Sequence, residues 1–172
     1  MKTTRWTKAV FVGLAAGLAA TVVVDAIMMS VLQLSGQPAQ NGFVLIGETA
    51  AGFLAHIGIH LAGGVPLGLA IHFFTGLVLG VLFVGFASGV PTLRQASRLK
   101  MAGLGVVYTE LISIPLLVWP PIILKMTQPD TVGWFSFTAS LHAVFGLVLG
   151  LAVSFGLRAP VPARPPAAGP VP

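Results

Sequence analysis

Hydrophobic residues fall into four long runs along the chain, and the segments between the runs contain most of the charges. The runs cover about residues 9–34, 65–87, 101–119 and 134–157. A helix of about 20 apolar residues crosses the roughly 30 Å hydrocarbon core of a bilayer. The pattern therefore predicts an all-α membrane protein whose four transmembrane helices form a single domain, residues 1–158.

The N-terminal run has a competing interpretation as a signal peptide, because basic residues precede it. The apolar region of a signal peptide usually ends after about 7 to 15 residues. Here the run passes Asp25 and continues to Leu34, which favours a retained helix. Gly36 is expected to cap that helix and Pro38 to stop it, while Pro115 predicts a kink in the third span.

The segment between the first two spans has a different periodicity. At 100° per residue, the apolar side chains from Phe43 to Leu61 gather on one side, and Glu48, Thr49, His56 and His60 gather opposite. This pattern predicts an amphipathic helix over about 43–61 that lies in the membrane interface. A short re-entrant helix is the alternative.

The composition agrees with a membrane location. Hydrophobic residues make up 56% of the chain, charged residues 8%, and the mean hydropathy is +0.97, values outside the range of soluble domains. The chain contains no cysteine, which excludes disulfides, iron–sulfur clusters, thiolate zinc sites and covalent c-type haem.

The positions of the basic residues predict the orientation in the membrane. Three Lys or Arg residues precede the first span, three separate the second from the third and two follow the fourth, whereas Lys125 alone lies on the other side. Positively charged loops stay in the cytoplasm, so both termini are expected there. The net charge of +5 thus indicates membrane orientation and no nucleic-acid partner. Residues 159–172 are rich in Pro and Ala and predict a cytoplasmic tail outside the domain.

A nine-residue pattern occurs twice. His72 begins a segment with the pattern H-x-x-x-G-L-V-L-G, and His142 begins the same pattern 70 residues later. The repeat predicts that the four spans form two similar antiparallel hairpins, each with one intramembrane histidine.

Small residues recur every fourth position in the first and second spans, as in a glycine zipper that lets two helices approach closely. Antiparallel neighbours at one depth have residue numbers with a constant sum. This rule pairs Asp25 with His72 and Glu110 with His142, so these four residues are expected to form a buried ionisable layer. The predicted packing residues are Gly13, Gly17, Thr21, Gly68, Gly76, Gly80, Gly146 and Gly150.

Three roles are open for this layer. Hydrogen bonds between helices would fix their register, contributing about 0.6 to 2 kcal/mol each. A histidine beside a carboxylate could instead handle protons. The third role is b-type haem binding, with His72 and His142 as axial ligands.

The interfacial segment offers a weaker candidate site. His56 and His60 are four residues apart, and together with Glu48 they could bind a divalent metal at the membrane surface. Histidines on the polar face of an interfacial helix are more often simply solvated. The motifs H-E-x-x-H, G-x-S-x-G and Walker A are absent, which favours a non-enzymatic protein, and Tyr108 is assigned no role.

Asp25, the sequence His142-x-x-x-Gly146 and the four-span layout resemble the YagU-like group of small bacterial inner-membrane proteins of unknown function. The resemblance implies a bacterial cytoplasmic membrane and supplies no activity. We therefore expect a polytopic membrane protein with a structural or proton-linked polar layer. A b-haem electron carrier and an accessory subunit of a larger membrane complex, or a homo-oligomer docked through glycine-lined faces, are the alternatives.

Overall fold

The computed structural model describes residues 2–157, without the side chains of residues 2–5 and 94. Within this part, four helices are long and apolar enough to cross a membrane, which confirms the number of predicted spans. The predicted tail, residues 159–172, lies outside the described residues. In chain order the helices are α1 (Lys2–Leu34), α2 (Asn41–His56), α3 (Val65–Gly89), α4 (Pro91–Arg94), α5 (Arg98–Leu117), α6 (Trp119–Ile123) and α7 (Gln128–Leu157).

The first span ends through a glycine cap. Gly36 has a φ of 74°, in the left-handed region that glycine enters without a steric penalty. In this conformation Gln37 N–H donates to Leu32 O at 2.9 Å and Gly36 N–H donates to Gln33 O at 3.1 Å. These two bonds satisfy carbonyl groups that the helix end would otherwise leave free.

The same device ends α2 earlier than the hydrophobic pattern predicts. Gly58 has a φ of 83°, and Ile59 N–H donates to Leu54 O at 2.9 Å. The helix therefore stops at His56, and the prediction of one helix over about 43–61 is wrong at its C-terminal end. The cap ends the helix, so residues 57–64 are not helical although their apolar periodicity continues.

The last helix begins six residues before the predicted boundary near 134. Thr127 precedes the helix, and its Oγ1 accepts a hydrogen bond from Asp130 N–H at 3.4 Å. The Thr127 hydroxyl also donates to Asp130 Oδ2 at 2.5 Å. Thr-x-x-Asp thus caps the first turn, and Asp130 lies in the first turn of α7.

Two helix pairs make the most extensive contacts in the bundle: α1 packs on α3, and α5 packs on α7. In the first pair, a Cβ atom at Gly80 would lie 2.8 Å from Gly17 Cα. In the second pair, a Cβ atom at Gly150 would lie 2.7 Å from Ala102 Cα. Only glycine allows such backbone contact, because any larger residue would force the helices apart.

The two pairs join through α1 and α7 and through one tyrosine. Tyr108 donates its hydroxyl hydrogen to Leu79 O across the pairs at 3.0 Å, and its ring centroid lies 5.0 Å from that of Phe83. The shorter helices α2 and α6 cover the end of the bundle where α1 and α5 finish. There α2 packs mainly on α3, where Gly68 faces the Phe43 backbone.

Candidate functional site

The buried acid of α1 meets the first repeated histidine. Asp25 Oδ1 lies 2.9 Å from His72 Nε2, and Asp25 is only 7% exposed. The contact lacks hydrogen-bond geometry, and neither atom has a hydrogen-bond partner within residues 2–157. Phe43 of α2 covers the imidazole edge-on, with ring centroids 6.1 Å apart.

The stripe of small residues on α1 accounts for this contact. Gly13 and Gly17 bring α1 against the backbone of α3, and the Thr21 hydroxyl fills the space beside Gly76. One further turn places Asp25 on the same face, opposite His72. An isolated charge would be expensive at this depth, so the two groups stabilise each other.

The predicted second couple does not form. Glu110 is partly exposed, and no hydrogen bond or ion pair joins Glu110 to His142 in the described part of the chain. Gly146 faces Val106 Cα, so α5 and α7 lie alongside each other in the expected register. The face of α5 that is turned towards α7 differs from the expected one. Thr109 occupies the centre of the face that packs on α7, and Glu110 lies 100° around the helix from it.

Hydroxyl groups take the place of a carboxylate in the second pair. Gly105 faces Gly146 O as Gly17 faces Gly76 O. Matching these contacts aligns Thr109 with Thr21 and Ser113 with Asp25. Sequence reasoning missed both residues, although a stripe at every fourth position was visible.

That stripe is Met101, Gly105, Thr109, Ser113 and Leu117. All five residues are buried, as the spacing of one helix face predicts.

The two histidines share a cavity between the helix pairs. Its volume is about 390 Å³, and His72, His142, Thr109 and Ser113 all line it. Most of the remaining wall is apolar or aromatic. It includes Leu79, Phe53, Trp119, Trp134, Phe137 and Phe145.

No protein-family model, curated protein or solved structure matches this chain. The arrangement supplies one carboxylate–imidazole couple, one further imidazole and several hydroxyls within an apolar enclosure. Such a set can exchange protons and form hydrogen bonds with a small molecule.

The predicted metal ligands on the α2 segment are not brought together. Among the described residues, no group of three His, Asp or Glu side chains could hold a metal ion. His56 Nδ1 is 2.7 Å from Gly52 O on its own helix. His60 lies beyond the end of α2, so the i, i+4 geometry of the two imidazoles is lost, and Glu48 faces Gly63.

Haem binding has one feature in its favour and one against it. His72 and His142 both line the cavity, but His72 Nε2 is already in contact with Asp25. Axial ligation of iron through this nitrogen would break the couple and leave a buried carboxyl group without a partner. We expect the purified protein to show no Soret band before or after dithionite.

The predicted glycine positions are mostly used inside the molecule. Gly13, Gly17, Gly76 and Gly80 face one another across the first pair, and Gly146 and Gly150 face α5. Faces covered in this way are not available for docking a further subunit.

Two interhelical hydrogen bonds were not predicted. One comes from Tyr108, and the other joins Trp134 Nε1 to Leu117 O at 3.1 Å. Both rings combine an apolar body with one polar tip that must find a partner when buried.

Proposed function

We propose that the protein is a non-enzymatic membrane protein that exchanges protons at the Asp25–His72 couple. The observation that carries the proposal is the 2.9 Å contact between these side chains at the wall of a cavity. Ionisable residues within membrane helices are rare and are usually functional. Imidazole is also the side chain whose charge changes most readily near neutral pH.

The geometry supports this role in two ways. Asp25 is buried, whereas His72 keeps about 23% of its side chain exposed and lines the cavity. A proton that enters the cavity therefore reaches the couple through the imidazole. The carboxylate then stabilises the added charge, because it lies 2.9 Å from the imidazole nitrogen.

Proteoliposomes that contain a pH-sensitive dye test the proposal directly. After an acid step outside, we expect the wild type to acidify the lumen several times faster than protein-free vesicles. The variant Asp25→Asn should lose this flux because it cannot hold the pair's proton. Asp130→Asn provides a matched control, since that carboxylate caps α7 away from the cavity.

The flux assay separates proton exchange from a purely structural role. Equal rates for wild-type and protein-free vesicles, or for the wild type and Asp25→Asn, would contradict proton exchange. If the wild type has no flux and Asp25→Asn lowers the thermal midpoint, the couple fixes helix register instead.

We also infer a bacterial cytoplasmic membrane with both termini inside, and two related antiparallel hairpins. The charge distribution supports the orientation, and the YagU-like resemblance supports the membrane. The repeated H-x-x-x-G-L-V-L-G segment and the matching glycine–carbonyl contacts support the duplication. Alkaline phosphatase fused after residue 157 should be inactive in cells, whereas activity there would reverse the orientation.

A further inference from the structure

We propose that the cavity is a binding site for a neutral molecule of one or two rings that carries a hydroxyl or carbonyl oxygen. Thr109 and His142 would hold that oxygen. This inference goes beyond proton exchange at Asp25 and His72, because it concerns the other side of the cavity and a different ligand.

The first observation is an unsatisfied hydroxyl. Thr109 is 1% exposed, yet its Oγ1 has no hydrogen-bond partner within the described residues. The other three buried threonines bond to a carbonyl four residues earlier. These are Thr21, Thr49 and Thr138, at 2.9, 2.8 and 2.6 Å. A buried polar atom without a partner is uncommon and costly.

The second observation is an imidazole nitrogen that also lacks a hydrogen-bond partner. His142 Nδ1 is also buried without a partner in residues 2–157. Gly105 of α5 faces Gly146 of α7. Thr109 lies one turn after Gly105, His142 lies one turn before Gly146, and both residues line the cavity. In the proposed complex, one ligand oxygen bonds to both groups.

The cavity wall selects against charged ligands. None of the described residues that line it is Lys, Arg, Asp or Glu, so an anion finds no fixed cation and an ammonium group finds no free carboxylate. His72, which also lines it, faces Asp25 with Nε2. The ligand must therefore be neutral, because an unpaired charge is unfavourable in an apolar enclosure.

The size and aromatic lining define the rest of the ligand. An engineered cavity of about 150 Å³ holds one benzene molecule, and this cavity of about 390 Å³ therefore accommodates one or two rings. Aromatic side chains favour stacked or edge-on contacts with such rings. Phe53 and Trp119 already form one edge-on pair in the wall, with centroids 5.0 Å apart.

Titration calorimetry in detergent tests the proposal with two probes of similar shape, 4-propylphenol and propylbenzene. We expect saturable binding of the phenol to the wild type. Thr109→Val removes the hydroxyl while keeping the volume, and it should weaken phenol binding about fivefold. Binding of propylbenzene should not change, and Thr109→Ser should restore the wild-type affinity for the phenol.

Thr138→Val is the matched control. Thr138 is buried and lines the cavity, but its hydroxyl already bonds to Trp134 O. We expect its affinity for 4-propylphenol to stay within about twofold of the wild type. No saturable phenol binding, equal affinity of the wild type and Thr109→Val, or an equal loss in Thr138→Val would overturn the proposal. Equal affinity is the result expected if water alone, or a lipid acyl chain, occupies the site.

A second measurement applies if Thr109→Val does not fold. The chain contains no cysteine, so Thr75→Cys introduces a single thiol into the cavity wall. The phenol should protect this thiol from N-ethylmaleimide at about fivefold lower concentration than propylbenzene. Equal protection by the two probes, or none, would contradict a site that recognises the ligand oxygen.

Discussion

The first helix pair, α1 with α3, and the second, α5 with α7, share close glycine contacts but differ in polar chemistry. Both pairs bring glycine against a facing carbonyl, at Gly17 and at Gly105. One turn beyond Thr21 the first pair has Asp25, which contacts His72 at 2.9 Å. The corresponding residue of the second pair is Ser113, and His142 Nδ1 has no partner in the described chain.

This difference indicates which features the fold requires. Close helix packing occurs in both pairs, so it depends on the glycine stripes and not on an acid–imidazole couple. The carboxylate is an addition to one pair only. Its presence in one pair only is consistent with the proton exchange proposed above.

The largest effect should come from filling the glycine contacts. Gly17→Val would drive a side chain into the Gly76 carbonyl, and Gly105→Val would do the same at Gly146. We expect each substitution to lower the free energy of unfolding by about 3 kcal/mol. Unfolding titrations in mixed micelles with increasing sodium dodecyl sulfate measure this loss.

Gly103 supplies the control for both substitutions. It lies on α5, and nothing stands within 4 Å of a Cβ atom placed there. Gly103→Val should therefore change the unfolding free energy by less than about 0.5 kcal/mol. If only one of Gly17→Val and Gly105→Val is destabilising, the two pairs do not share one packing principle.

A smaller effect should distinguish the polar layers. Asp25→Asn removes the charge that faces His72, and we expect a loss of about 1 to 2 kcal/mol because a buried polar group loses its partner. Ser113→Ala, at the matching position of the second pair, should cost about 0.5 kcal/mol. The same micelle titrations measure both, and equal losses would remove the contrast between the pairs.

The sequence predicts the parts of this molecule that depend on hydropathy and one-dimensional spacing. The four spans follow from apolar runs, since a bilayer forces the backbone of such runs to be helical. The approach of Asp25 to His72 follows from the small residues at Gly13, Gly17 and Thr21, which define one face of α1. Gly36 also caps α1, as the conformational freedom of glycine predicts.

The errors concern rotation and local capping, which hydropathy does not encode. Whether Thr109 or Glu110 faces the bundle depends on the rotation of α5 about its axis, because neighbouring residues of a helix point 100° apart. The prediction of a helix over 43–61 did not take account of the cap at Gly58. The predicted start near 134 did not take account of the cap formed by Thr127 and Asp130. The cavity requires the placement of six helices together, so no single segment predicts it.

Removing the hydrogen bond that joins the pairs should have a moderate effect. Tyr108→Phe deletes the hydroxyl that donates to Leu79 O but retains the ring against Phe83. The expected loss is about 1 kcal/mol in the micelle titration. Combining Gly17→Val with Tyr108→Phe tests whether the two sites are coupled, because Gly17 packs against Gly80, the neighbour of Leu79. Non-additive losses would mean that the first pair and the junction unfold as one unit.

A coupling free energy sharpens the comparison most, because the experiment attempts to give the second pair the chemistry of the first. Ser113→Asp places a carboxylate where the matched glycine contacts align Ser113 with Asp25. A double-mutant cycle with His142→Ala should give a coupling free energy near 0.6 kcal/mol, the average for interhelical hydrogen bonds in membranes. The cycle of Asp25→Ala with His72→Ala provides the reference value. If the coupling is zero in the second pair and positive in the reference, the backbones of the two pairs differ at this position. More than one side chain would then distinguish the two pairs.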